Sequence, residues 1–594
     1  MKEKVIANFQ ENIHKADFDT IYHLKIIKSE SIINDFYRKK ESLNGVWNYA
    51  IDQYDTCLRA KWYEEKYFDE KGNPLPVDFS FEAWEEIKIP SCWNTEKEKL
   101  FLYEGSLVYT RLFNYKNKGE SRVFLKFAGI NYEAKVFLNK EFIGMHKGGS
   151  THFYIEVTEF LKDVNRILIV VNNTRKSTNV PSENTDWFNY GGIYRGVEIL
   201  RMPETFIKNF YISLSKDGTF KNIDIDISID GNIKNGKAKL DIDELSIHEE
   251  IDIKYGRGIR KIEANPVLWT CENPKLYDVT VSFNGDSLSD KVGFREIKVV
   301  GTDIILNGKK IFLRGICIHE ESVKNGKSVT DEEIRENFCL AKELNCNYVR
   351  LAHYPHSENA SRIADEMGIM LWEEIPVYWT IDFENEAVYD DAENQLSELI
   401  KRDKNRASVI IWSVGNENAD TDDRLQFMKN LALFARKLDD TRLISAACLV
   451  DLAALKIKDR LIDYIDIIGV NEYYGWYEPD LSDLEKMFKN SRLLKPVIIC
   501  EFGADAKTGF HGTVDDMFTE EAQREIFKKQ LRILSSVPYI KGISPWILYD
   551  FRCPRRLHSM QNYYNLKGLL SADKNKKKLA FYELKEFYGV LTHD

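Results

Sequence analysis

The sequence predicts a multidomain chain, two β-sandwich domains followed by a (β/α)8 barrel, and three observations carry that prediction. The first half consists of many short alternating apolar runs broken by Gly, Asn and Pro, without long helical periods. Beyond about residue 300 short, wholly apolar runs alternate instead with longer amphipathic stretches. Eight such runs occur, the number that closes a parallel barrel. A length of 594 residues accommodates three to four domains at roughly 150 residues each.

Residues 1–40 form a charged, partly helical lead-in. Residues 41–205 are expected to form the first sandwich, with strands such as Leu107-Val108-Tyr109, Val123-Phe124-Leu125 and Ile167–Val171. Residues 206–299 repeat the pattern at smaller scale. Ile223-Asp224-Ile225-Asp226-Ile227 and Val279-Thr280-Val281-Ser282-Phe283 alternate strictly, which suits an immunoglobulin-like sandwich. Residues 300–594 carry the barrel. Its strands are expected at Ile311–Gly315, Tyr348–Ala352, Met370–Glu374, Val409–Val414, Ile444–Cys448, Ile465–Val470, Val497–Cys500 and Gly542–Leu548. Helical patterns such as Asp331–Leu344 and Asp423–Leu438 lie between most of them.

Composition excludes several classes of function. A net charge of −11 and a pI near 5.7 argue against a nucleic-acid binder, which needs a basic face. The nine cysteines are scattered singly with no C-x-x-C pair, so neither a zinc site nor a disulfide framework is expected. Cys500 sits in an apolar run and reads as a small buried side chain. The start lacks an apolar h-region and no run of about 18 apolar residues occurs, so a cytoplasmic protein without membrane contact is expected.

In such barrels chemistry sits where strands end. The first strand leads into His319 and Glu320, the second into Arg350 and His353, and the fourth into Asn416 and Glu417. The sixth leads into Asn471–Tyr474, the seventh into Glu501 and the eighth into Trp546. Glu417 and Glu501 thus face one another across the mouth, as glycoside hydrolysis requires: one carboxylic acid protonates the leaving oxygen, and one carboxylate attacks the anomeric carbon. A single Glu after a strand is more often a solvated residue. Two, each after a wholly apolar strand, are much harder to dismiss.

Ser408–Asn418, with Gly415-Asn416-Glu417, resembles the acid/base signature of glycoside hydrolase family 2, and Lys495–Asp505, with Cys500-Glu501-Phe502-Gly503, resembles its nucleophile signature. The resemblance covers nearly the whole chain, through Leu43–Trp47, Pro90–Asn94, Leu268-Trp269, Val292–Arg295 and Asn307–Lys309. It implies a jelly-roll sugar-binding-like domain, an immunoglobulin-like domain and a barrel. It further implies that Glu417 is the acid/base, that Glu501 is the nucleophile, and that configuration is retained. By the same resemblance Asn416 holds the sugar 2-hydroxyl and Tyr473 hydrogen-bonds the nucleophile. Asn405-Arg406-Ala407-Ser408 departs from the family's usual Asn-His-Pro-Ser, at the far end of the strand, where no loss of activity is expected.

Among the family's sugars, glucuronides are recognised through an Asn-x-Lys motif after the eighth strand, and Asn565-Leu566-Lys567 stands at that place. A buried carboxylate needs a charge partner and a donor. Without that register the motif is only a polar turn before Gly568. Asp186, His319, Tyr477 and Trp546 match family positions near the glycone. Alone, Asp186 would read as a capping loop aspartate and His319 as a core histidine. Two departures stand out: Gln561 occupies the place of an arginine near the carboxylate in one characterised type, where Arg555 or Arg556 could substitute, and Glu472 replaces another arginine. The segment Val377–Glu393 is short where many gut bacterial members carry a long loop. Some short-loop relatives hold flavin mononucleotide away from the active site; no Gly-rich phosphate loop occurs here, and no cofactor is expected. The resemblance therefore implies an exo-acting β-glucuronidase on small-molecule or oligosaccharide glucuronides, assembled as a homo-oligomer, tetramer or dimer. The alternatives are a β-galactosidase or β-galacturonidase of the same family, or a non-catalytic carbohydrate-binding protein. The last is disfavoured because both glutamates remain.

Overall fold

A computed structural model describes residues 22, 25–66, 68, 71–73, 81–116 and 121–591. The partly helical character expected of the lead-in falls mostly outside these residues; its described part contains one short turn, Ser29–Ser31. The chain divides into two units, the first built mainly from residues 39–174 and 190–204 and the second mainly from 205–594, with 175–189 and 32–38 added.

The first unit is a β-sandwich of a six-stranded and a four-stranded sheet. At the centre of the larger sheet lies Val164–Asn172, paired on both sides. Ile167, Ile169 and Val171 face the inter-sheet core. Leu168 and Val170 bury the opposite face under Phe137, Met145 and Leu58. Cover on both faces explains why this strand is a continuous apolar run and not an alternating one.

The second unit begins with a smaller sandwich of three-stranded and four-stranded sheets. In Asn222–Asp230, Ile223, Ile225 and Ile227 point into its core and the intervening residues point outward, so the period-2 pattern has its simple cause. Residues 32–38 also belong here: Arg38 forms two bonds of 2.8 and 2.9 Å to Asp286.

Eight parallel strands then close a barrel: Leu313–Ile318, Tyr348–Leu351, Met370–Glu374, Val409–Asn416, Leu443–Cys448, Ile467–Asn471, Val497–Glu501 and Ile540–Ile543. Two differ materially from the sequence expectation. Ile311 belongs to a preceding antiparallel strand, Lys309–Ile311, so the first barrel strand starts later and runs to Ile318. The eighth stops at Ile543, because Pro545 offers no N–H to a ladder and the chain turns off toward Trp546. The helix Asp331–Glu343 starts at a capping box, in which Thr330 and Glu333 each satisfy the other's backbone N–H.

Candidate active site

The residues that follow the strand ends surround a cavity of about 370 Å³, a size suited to a small ligand. Eight of the ten residues expected from the sequence line it: Asp186, Glu417, Tyr473, Tyr477, Glu501, Trp546, Asn565 and Lys567. Asn416 and His319 do not. Asn416 is turned to Arg350, from which it accepts at 2.7 Å, and its amide approaches Glu417 at 3.4 Å. His319 lies behind the wall, packed against Trp546 and Phe551 and bonded to the Tyr354 hydroxyl at 3.1 Å. Its position directly after an inner strand is what draws the ring into the core.

The two glutamates differ in what holds them. Glu501 ends the seventh strand and accepts from the Arg350 guanidinium and the Tyr473 hydroxyl, both at 2.7 Å. Arg350 is wholly buried on the second strand and also grips Glu374 at 3.0 and 3.1 Å. Glu417 follows the fourth strand in a left-handed conformation, φ +52°, a strained setting for a residue with a side chain. It accepts from the indole N–H of Trp379 at 2.6 Å. Burial raises its pKa against the donors Trp379 and Asn471. Burial pushes Glu501 up to about 8, with Arg350 pulling it down and the charge of Glu417 pushing it further up. The pair therefore carries a proton in the neutral range, and only Glu501 faces a permanent cation. Burial also acts on Glu374, but Arg350 and His353 outweigh it and hold that carboxylate at about 2.

A second cluster forms another wall of the cavity. Lys567 is 1 % exposed; its ammonium donates to Asp505 at 2.8 Å and to the Tyr477 hydroxyl at 2.9 Å. Burial disfavours this charge, but Asp505 outweighs it and raises the lysine's pKa. Arg556 donates to the same Tyr477 oxygen at 3.0 Å and pairs with Asp186. Asn565 reaches Asp186 at 3.4 Å. Arg555 and Arg556 both line the cavity, and Gln561 donates to Asp505 at 3.3 Å. Glu472 faces away, between Gln530 and the N–H of Tyr474.

An ammonium has three donors, and two are used here, so one remains for a ligand. The Tyr477 oxygen accepts from two cations, which leaves its own O–H to donate outward. Asp505 and Trp379 were not assigned from sequence, while Arg350 was named only as a strand-end residue and Arg556 only as one of two possible substitutes. Arg350 did carry a signal, a charge inside the apolar strand Tyr348–Leu351. Asp505 had none, because only the fold brings it to Lys567.

Comparison with known proteins follows the same division of the chain. Residues 40–203 match the sugar binding domain of glycosyl hydrolases family 2, residues 205–295 a further family 2 domain, and residues 297–592 the family's TIM barrel domain. The chain is 27% identical to a β-glucuronidase of Streptococcus agalactiae, over 94% of its own length and 97% of that protein's. A Ruminococcus gnavus β-glucuronidase, solved with a C6-substituted uronic isofagomine, superimposes with a TM-score of 0.81 at 26% identity, covering 95% of this chain and 100% of that one. An Eisenbergiella tayi β-galacturonidase bound to galacturonate shares the fold, with a TM-score of 0.80 at 24% identity, covering 93% and 97%.

Proposed function

Because the chain belongs to family 2 of the glycosyl hydrolases and is a glycoside hydrolase, we propose that it hydrolyses β-glucuronides with retention of configuration. The observation that carries the choice of sugar is the donor cluster of Lys567, Tyr477 and Asn565 on the cavity that also holds both glutamates. A uronic acid differs from a neutral hexose in a carboxylate at C6. Inside this cavity that carboxylate loses hydration, and the free N–H of Lys567 and the O–H of Tyr477 replace it. The β-glucuronidase names of the relatives in Streptococcus agalactiae and Ruminococcus gnavus support the same reading.

In this scheme Glu501 attacks the anomeric carbon and Glu417 gives its proton to the leaving oxygen. The donors favour that division: Arg350 stabilises a carboxylate on Glu501, whereas Trp379 and Asn471 offer Glu417 only neutral contacts. Once the glycosyl-enzyme has formed, Glu417 takes a proton from water, and Glu501 leaves with its charge restored to Arg350.

A panel of 4-nitrophenyl β-glycosides tests the sugar: glucuronide, galacturonide, galactoside and glucoside. The glucuronide is expected to give the highest kcat/KM. Tyr477→Phe should lower kcat/KM on the glucuronide by about tenfold, the worth of a hydrogen bond to a charged group, and spare the glucoside. A higher rate on the galacturonide would move the assignment to its C4 epimer. Equal losses on charged and neutral sugars would remove Tyr477 from carboxylate recognition.

A further inference from the structure

Three cationic side chains line the cavity, and two already have a carboxylate: Lys567 has Asp505 and Arg556 has Asp186. Arg555 differs. Its side chain is exposed, its hydrogen bond goes to the neutral side-chain oxygen of Asn184, and it pairs with no carboxylate among the described residues. Its guanidinium lies 4.8 Å from the centre of the Trp379 ring. Trp379 is the residue whose N–H holds Glu417, and the acid must stand beside the oxygen it protonates. Arg555 therefore stands on the ring that holds the proposed acid, where the leaving group of the scheme above departs.

We propose that Arg555, seated on Trp379, forms a leaving-group subsite selective for aglycones that carry a negative charge, such as a carboxylate or sulfate. The proposal rests on Glu417 being the acid, as in the scheme above. The stacked ring and the bond to Asn184 hold the guanidinium in place, so less ordering is needed when a ligand arrives than for a free surface arginine. The chain as a whole is acidic, with a net charge of −11, so long-range attraction does not supply this preference and a local cation must.

The test compares the β-glucuronides of 4-methylumbelliferone and of 7-hydroxycoumarin-4-acetic acid, which share a leaving oxygen and differ in a remote carboxylate. The readout is the ratio of kcat/KM, anionic over neutral, so that any general slowing cancels. The wild-type ratio is expected to exceed that of Arg555→Gln by about threefold to fivefold, as for an ion pair with one exposed partner. It should shrink as salt is added. Arg555→Glu should drive the ratio below that of Arg555→Gln, which a merely structural role would not do. The same ratio in wild type and both variants overturns the proposal. If the protein prefers another uronic acid, the same two aglycones on that sugar test the subsite, so failure of the glycone assignment is seen separately.

Discussion

Glu417 and Glu501 share a cavity and a shortage of water, yet their neighbours set them apart. Glu501 is fastened to an arginine that has a second carboxylate, Glu374, on its other side. Arg350 favours the charged form that the proposed nucleophile needs, against the burial that pushes the pKa of Glu501 up. Glu417 accepts from no cation among the described residues, and burial raises its pKa, as suits the proposed acid. Glu501→Ala is expected to abolish turnover on every glycoside. Glu417→Ala should retain substrates with good leaving groups and respond to azide with a β-glycosyl azide, because azide needs no base to attack the glycosyl-enzyme. Product NMR checks this; a β-azide from the Glu501 variant and an α-azide from the Glu417 variant would reverse the two roles.

The barrel strands are short, and their ends do the positioning. The sixth strand, Ile467–Asn471, runs straight into Glu472, whose carboxyl is trapped against Gln530 of the helix Glu520–Leu534. Burial pushes Glu472 from 4.5 up to about 8, only partly offset by the N–H of Tyr474 and by Gln530. One of its oxygens has no hydrogen-bond partner among the described residues. A carboxyl raised in the folded state contributes fully below about pH 4.5, and that contribution is lost as pH rises through about 8. Glu472→Gln removes the dependence without changing the shape. Its stability should therefore gain on wild type between pH 5 and pH 8.5, by on the order of a few kcal/mol at the alkaline end, read as a widening difference in melting temperature. A constant difference across that range would mean that Glu472 titrates normally.

Within the larger unit, the middle sandwich and the barrel are joined by buried ion pairs. Asp290 of the strand Asp286–Val292 accepts from Arg406 at 2.5 Å and from Arg362 at 2.7 Å. Arg406 is one of the two residues that depart from the family pattern; it reaches back to the sandwich and also meets Asp365 at 3.3 Å. Arg295 adds three bonds to backbone carbonyls at the base of the fourth and fifth strands. Burial works against the Asp290 charge, but the two arginines outweigh it and hold its pKa below the ordinary value. Such a group stabilises above the usual carboxylate pKa, and the benefit is lost as pH falls through the lowered value. Asp290→Asn takes the carboxylate from Arg362 and leaves Arg406 only the longer carboxylate contact, to Asp365, and is expected to cost about 3–5 kcal/mol. Calorimetry at neutral pH should show the loss, and the difference from wild type should narrow in acid.

The sequence by itself determined the architecture and singled out the two glutamates that line one cavity. Periodicity of 2 and of 3.6 is a local property, written in residues that are neighbours in the chain, so the sandwiches and the barrel were legible. So were Glu417 and Glu501, because each follows an apolar strand that must end at the barrel mouth. Strand limits were less so, as at the eighth strand, where Pro545 cuts the ladder while the apolar run continues. Only the tertiary structure decided the partners. Lys567 meets Asp505 across 62 positions, and Asp186 meets Arg556 across 370. It also turned His319 into the core. Charge pairing acts through space and leaves no trace in local spacing, so which cation pairs with which carboxylate could be read only after the chain had folded.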